Sequence, residues 1–237
     1  MTQQTHHPFV ARLKNALESH ANARAAIAMR AYMKNKFDFL GIRAPERKAL
    51  LKVFLKEQGL PAVKDIETIT LELWQLPERE YQYLALGLLE RTLKKLPPEG
   101  MALFEQLIIT KSWWDTVDAV ASHLVGGLIL RYPELRDPWI NKWRSADDIW
   151  LRRTTLLFQL SYKDKTDTNL LFKLIGENLG SKKFFINKAI GWALREVSKR
   201  DDLAVRGFVS ATPLEPLSKR EALKWLERQA LREATHA

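Results

Sequence analysis

Lys111-Ser112-Trp113-Trp114-Asp115-Thr116-Val117-Asp118 puts two adjacent tryptophans and two aspartates within six residues, just after the apolar run Leu107-Ile108-Ile109. On a helix, Trp114 and Asp118 lie one turn apart on a shared face, and so do Lys111 and Asp115. An indole beside a carboxylate offers a flat apolar wall and a fixed negative charge at one spot. Two readings stay open at this point. Either both tryptophans pack into a core while Asp118 is solvated or caps a neighbouring segment, or the pair belongs to a site. The spacing of similar helix openings along the chain decides which fold carries it.

Nearly every segment of the 237 residues reads as helix. Pro45 sits in the first turn of a helix running to Gln58, Gly59-Leu60-Pro61 stops it, and Pro97-Pro98-Glu99-Gly100 makes a later break. Sustained period-2 alternation is missing, so no strand is expected. Helices alternate short and long, and the long ones open near Leu76, Lys111, Asp147, Lys182 and Ser218, at steps of 35, 36, 35 and 36 residues. A period in the mid-thirties with two helices per unit is that of an α-solenoid, in which each pair buries its apolar face against its neighbours. The small-residue pattern of tetratricopeptide repeats is missing, so divergent HEAT-like pairs fit better. The expected fold is therefore all-α: one HEAT-like domain over 1–237, with a flexible tail at 1–7 and a concave basic face lined by the second helices.

Lys plus Arg number 38 against 28 acids, a formal charge of +10, which suits a polyanionic partner. The absence of cysteine excludes disulfides, thiolate zinc sites and cysteine nucleophiles. Met1 to His7 is polar with no apolar h-region behind it, and the longest apolar runs fall far short of the ~18 residues of a membrane span. A cytoplasmic protein without a membrane partner is expected. His6-His7 reads as solvated tail, and no metal is expected.

Arg79, Trp114, Trp150 and Ile186 stand at equivalent early positions of successive second helices, 35, 36 and 36 residues apart. Asp118, Arg152-Arg153, and then Lys188, Trp192 and Arg195 follow further along these helices. Basic residues interleaved with tryptophan on one face suit nucleic acid, through phosphate contacts and stacking or cation–π contact. The plainer alternatives are core packing for Trp150 and Trp192, solvated helix charges for Arg153 and Arg195, and an ordinary half-buried tyrosine at Tyr32. Gly191, in mid-helix before Trp192, costs about 1 kcal/mol unless something packs closely against it. Glu78 and Glu80 read as helix-start charges. Walker, G-x-G-x-x-G, H-E-x-x-H and G-x-S-x-G motifs are all missing, so an enzyme here must work with a carboxylate, aromatics and arginines.

These residues also carry a resemblance. Arg30-Ala31-Tyr32-Met33-Lys34-Asn35, Phe39-Leu40-Gly41-Ile42, Pro45-Glu46-Arg47, Glu72-Leu73-Trp74, Leu76 to Glu80, Thr110 to Asp118, Asp148-Ile149-Trp150-Leu151, Phe158-Gln159-Leu160, Lys188 to Trp192, Leu194-Arg195-Glu196 and Leu217 to Ala222 run in order over nearly the whole chain. In these stretches the chain resembles the AlkD-type DNA alkylation-repair glycosylases, which are built of HEAT-like repeats. The resemblance implies a monofunctional hydrolase, without a lyase step, that removes cationic N3- and N7-alkylated purines such as 3-methyladenine and 7-methylguanine from duplex DNA in base excision repair. It implies Asp118 as the catalytic carboxylate, Trp114 and Trp192 as the tryptophans at the lesion's deoxyribose, Arg153 as the active-site arginine and Tyr32 as the tyrosine near the lesion. Lys34, Arg43, Arg47, Arg79, Lys111, Arg152, Lys188 and Arg195 are the candidates for DNA contact. A monomer associated with the nucleoid, needing no cofactor, completes this reading. The alternatives are a non-catalytic HEAT-like solenoid that binds DNA structures and a protein-binding helical scaffold.

Overall fold

The computed structural model describes residues 6–236, and every regular element among them is helical; one isolated bridge, Asp38–Glu78, is the sole β pairing among the described residues. The chain gathers into two compact units, Met1–Pro97 and Pro98–Ala237, with the boundary at the Pro97-Pro98 break in the sequence. Of the tail expected at 1–7, residues 1–5 lie outside the described residues. His7 is engaged: its amide donates to Glu72 Oε2 at 2.7 Å, and its side chain caps the first helix by accepting from the Phe9 amide. No helix among the described residues is long and apolar enough to cross a membrane.

The first unit contains α1 (Pro8–Glu18), α2 (Ala23–Tyr32), α3 (Ala44–Gln58), α4 (Ile66–Gln75) and α5 (Arg79–Thr92). Helix α2 ends at Tyr32, because Lys34 and Asn35 just beyond it take left-handed backbone angles (φ +58° and +55°). The start of α5 organises this unit. Glu80 is fully buried and its carboxylate accepts from the amides of Leu40, Gly41 and Ile42 at 3.0, 2.9 and 3.1 Å. It stands in the first turn of α5, as expected of a helix-start charge, and is also a long-range anchor for the 37–42 loop, whose partner is nearly forty residues away and beyond any local pattern. Gly41 is required there by its φ of +88° and because a Cβ would sit 2.0 Å from the Asn22 carbonyl oxygen. The Gln82 amide donates to the carbonyls of Leu73, Trp74 and Leu76, satisfying acceptors left over at the C-terminus of α4.

The second unit contains α6 (Gly100–Ile109), α7 (Trp114–Ala119), α8 (Gly126–Arg131), α9 (Arg136–Arg144), α10 (Ile149–Leu157), α11 (Thr168–Gly176), α12 (Phe184–Ser198), α13 (Asp202–Ala211) and α14 (Pro216–His236). Helices α5, α7, α10 and α12 open at Arg79, Trp114, Ile149 and Phe184, 35 residues apart each time, and α14 follows at Pro216. The long helix expected to open near Lys111 is interrupted by a π-helical stretch, Val120–Val125, which joins α7 to α8. Such an insertion displaces the downstream register and is common at functional sites. Close helix approach depends on glycine twice. A Cβ on Gly126 would lie 2.2 Å from the Phe158 carbonyl oxygen, and one on Gly191 would lie 2.5 Å from Glu221 Cβ and 2.8 Å from the Ser218 carbonyl oxygen. The cost of glycine within α12 is thus offset by the tight seating of α14.

Two stability changes are expected. Glu80→Ala leaves three amides without their acceptor and lowers unfolding free energy by roughly 3 kcal/mol or more, read as a shift in the urea midpoint; a shift under a third of that size contradicts the anchoring role. Gly191→Ala forces α12 and α14 apart and costs about 1–3 kcal/mol of overpacking, more than the ~1 kcal/mol that alanine adds to helix propensity. A raised midpoint in the alanine variant contradicts the close approach.

Candidate active site

Four helices of the second unit meet around one carboxylate. The chain turns sharply before α7, with Lys111 in the left-handed region (φ +48°), and Trp113 in extended conformation leads into the helix. Trp114 and Asp118 then fall one turn apart within α7. Helix α10 starts at a regular cap, the Asp148 carboxylate accepting from the amides of Trp150 and Leu151 at 2.7 and 3.1 Å. This places Arg153 opposite Asp118. Arg153 Nε donates to Asp118 Oδ1 at 2.7 Å and Nη2 to Oδ2 at 2.8 Å, a bidentate fork, while Nη1 donates to the Phe185 carbonyl.

Asp118 is 9% exposed and Arg153 3%. Burial pushes the Asp118 carboxyl above the ordinary aspartate range; the hydrogen bonds and charge of Arg153 pull the other way, and Asp115 adds a smaller upward push. Two oxygens accepting from one guanidinium is an arrangement of the carboxylate form. An aromatic cluster backs the pair: Phe185 lies 4.9 Å from both Trp113 and Trp150, those two are 5.7 Å apart, and the Arg153 guanidinium carbon sits 5.8 Å from the Phe185 ring.

Asp118 borders a cleft of about 350 Å³ lined by Trp114, Asp118, Arg153, Phe184, Phe185, Lys188, Trp192, Arg195 and Glu221. Both Trp114 and Trp192 are half-buried, presenting indole surface to it. The fold therefore brings together Asp118, Trp114, Trp192, Arg153, Lys188 and Arg195, all of them expected from sequence. Lys188 Nζ and Arg195 Nη1 lie 3.1 and 3.0 Å from the Glu221 carboxylate. Burial works to raise the Glu221 pKa, but the hydrogen bond and charge of Lys188, with Lys224 and Arg195, outweigh it and hold the group below the usual carboxylate range.

The other candidates fall elsewhere. Lys111 is half-buried in the turn before α7, and Arg152 is half-buried with its Nε screened from solvent. Tyr32, Lys34, Arg43, Arg47 and Arg79 belong to the first unit. Tyr32 is 70% exposed at the end of α2, Lys34 and Arg43 are exposed, and Arg47 stacks over Tyr83 at 4.3 Å. Arg79 corrects an expectation. It is fully buried and stacked 3.8 Å over the Phe37 ring, not on the surface where a DNA-contact residue was expected. Trp150 and Ile186, placed on the same expected face, are also core, at 8% and 0% exposure.

Phe184, Phe185 and Glu221 went unread as site residues. The adjacent phenylalanines at a helix start carried a faint signal; Glu221, one charge on a basic helix, carried none. Among the described residues no cluster of three or more His, Asp or Glu could hold a metal ion.

Residues 13–226 match the sequence model of the family described as DNA alkylation repair enzyme. A solved structure described as a predicted DNA alkylation repair enzyme from Enterococcus faecalis is 36% identical in sequence and superposes with a TM-score of 0.81, covering 87% of this chain and 96% of that one. No curated protein matches the chain. With most of its length matched in both sequence and structure, the chain belongs to the DNA alkylation repair enzyme family.

Proposed function

We propose that the protein is an AlkD-type, monofunctional glycosylase that hydrolyses the N-glycosidic bond of cationic N3- and N7-alkylated purines in duplex DNA. The observation that carries this reading is Asp118, a carboxylate held by Arg153 at the edge of a cleft walled by Trp114 and Trp192. An N3- or N7-alkylated purine already bears positive charge and leaves with the bonding electron pair as a neutral base, so no general acid is needed. Positive charge then develops on the deoxyribose as an oxocarbenium-like ion. Asp118 stabilises it by a field fixed before the reaction begins. The indole faces add cation–π attraction of order 2 kcal/mol.

Arg153 uses one acceptor position on each Asp118 oxygen, and an ionised carboxylate has about four. A remaining one orients the water that attacks C1′ and takes the proton it releases. The products are a free base and an abasic site. One carboxylate does the work for which glycoside hydrolases employ two, because the leaving group arrives activated. HEAT-like pairing of the helices and a duplex tracked by exposed cations such as Lys34 and Arg43 belong to the same proposal, as does action by a monomer. The +10 formal charge supports a polyanionic partner.

Purified protein should release 7-methylguanine from methylated duplex DNA, and Asp118→Asn should slow that release by about a hundredfold or more while duplex binding persists. Equal rates for the two proteins exclude the carboxylate role, and duplex binding without any base release by the wild type points to a non-catalytic DNA-binding solenoid. The acid limb of the wild-type rate profile should also be displaced. Activity needs the Asp118 anion, and burial raises its pKa, so the rate falls at a pH above the ~3.9 of an ordinary aspartate. A limb at or below that value contradicts the burial argument.

A further inference from the structure

Helix α14 contributes a second carboxylate to the cleft, and neither the sequence pattern nor the proposed chemistry uses it. Glu221 is 7% exposed. It reaches the cleft because Gly191 lets α14 approach until Glu221 Cβ lies 2.5 Å from where a Cβ would stand. Ser218 Oγ fixes the same contact one turn earlier by donating to the Asn187 carbonyl at 3.0 Å. One Glu221 oxygen faces Lys188 Nζ and the other Arg195 Nη1. Two cations on α12 are thereby bound sideways to a partner on their own protein.

The consequence is electrostatic. The cleft lining holds three cations, Arg153, Lys188 and Arg195, against two carboxylates, Asp118 and Glu221. Without Glu221 the balance would be three to one, around a site where positive charge must develop. Free Lys188 and Arg195 would attract backbone phosphates, but they would also raise the energy of a cationic base and of an oxocarbenium-like sugar.

We propose that Glu221 is a positioning residue that trims the charge of the cleft: it offsets one of the two charges carried by Lys188 and Arg195, giving up duplex affinity to favour departure of a cationic base. The inference rests on the glycosylase reading and concerns a group outside the Asp118–Arg153 pair. It predicts opposite effects on binding and on chemistry, which a merely structural role would not produce.

The test uses the full chain with Glu221→Gln, near-isosteric and one charge fewer. Two quantities are read: affinity for undamaged duplex across a salt series, and the single-turnover rate of 7-methylguanine release at saturating enzyme. The variant should bind duplex more tightly at low salt, with a salt slope steeper by about 0.9 for each cation released to a phosphate. It should release base roughly tenfold more slowly, the size of one screened charge interaction. Unchanged affinity and slope overturn the proposal, and so does tighter binding with an unchanged rate. Wild-type protein that releases no alkylpurine overturns the glycosylase reading instead, while the salt series still reports on the Glu221 charge.

Should Glu221→Gln fail to fold, Lys188→Gln with Glu221 intact takes its place. Its loss takes the cleft lining from one net positive charge to none, so duplex binding should weaken at low salt while base release quickens. Release no faster than in the wild type overturns the proposal.

Discussion

Asp118 keeps a charge inside the protein because Arg153 meets it with two parallel N–H donors and spends a third on the Phe185 carbonyl. Taking two ions out of water costs several kcal/mol each, and only well-aligned hydrogen bonds return it. The surroundings follow from that demand. The Asp148 cap sets the start of α10 and so the height of Arg153. Trp113, Trp150 and Phe185 exclude water from the guanidinium's flank. The opening tryptophan pair divides accordingly: Trp113 packs behind the ion pair, while Trp114 presents indole surface to the cleft.

The helical class and the pairing period were legible, because apolar spacing and proline breaks record them directly. The facing of each helix was less so. Taking Trp114, Trp150 and Ile186 as one face used steps of 36 residues, whereas α7, α10 and α12 open at steps of 35. Each residue turns a helix by about 100°, so Trp150 is one residue and Ile186 two residues off the 35-residue register, enough to carry both into the core. The strict step links Asp118 to Arg153 and Arg153 to Lys188, and all three line the cleft. The π-helical stretch Val120–Val125 left no such trace, since no residue type encodes it.

Buried carboxylates were the main blind spot. Glu80 and Glu221 look in sequence like ordinary helix charges, yet one anchors a loop and the other pairs with two cations on a different helix. In each case the partner is more than twenty residues away, so no local pattern could reveal it. Gly41 and Gly191 were the better clues. A glycine within a helix, as at Gly191, or at a sharp turn, as at Gly41, marks another segment's close approach, and both glycines lie beside the segments these carboxylates hold.

A strongly basic protein has a conflict to resolve on the proposed function. The cations that bring a polyanion to its surface would, if carried into the reacting centre, oppose the charge that develops there. Exposed Lys34 and Arg43 are free of that constraint, because solvent screens them and a phosphate can meet them without touching the sugar. The cleft cations are arranged differently. Arg153 is committed to Asp118, and Lys188 and Arg195 share Glu221, so two of the three positive charges nearest the proposed reaction are offset internally. On that proposal, attraction to DNA falls to the exposed cations and stabilisation of a cation to the internally paired cleft, with Asp118 and Glu221 keeping the two apart.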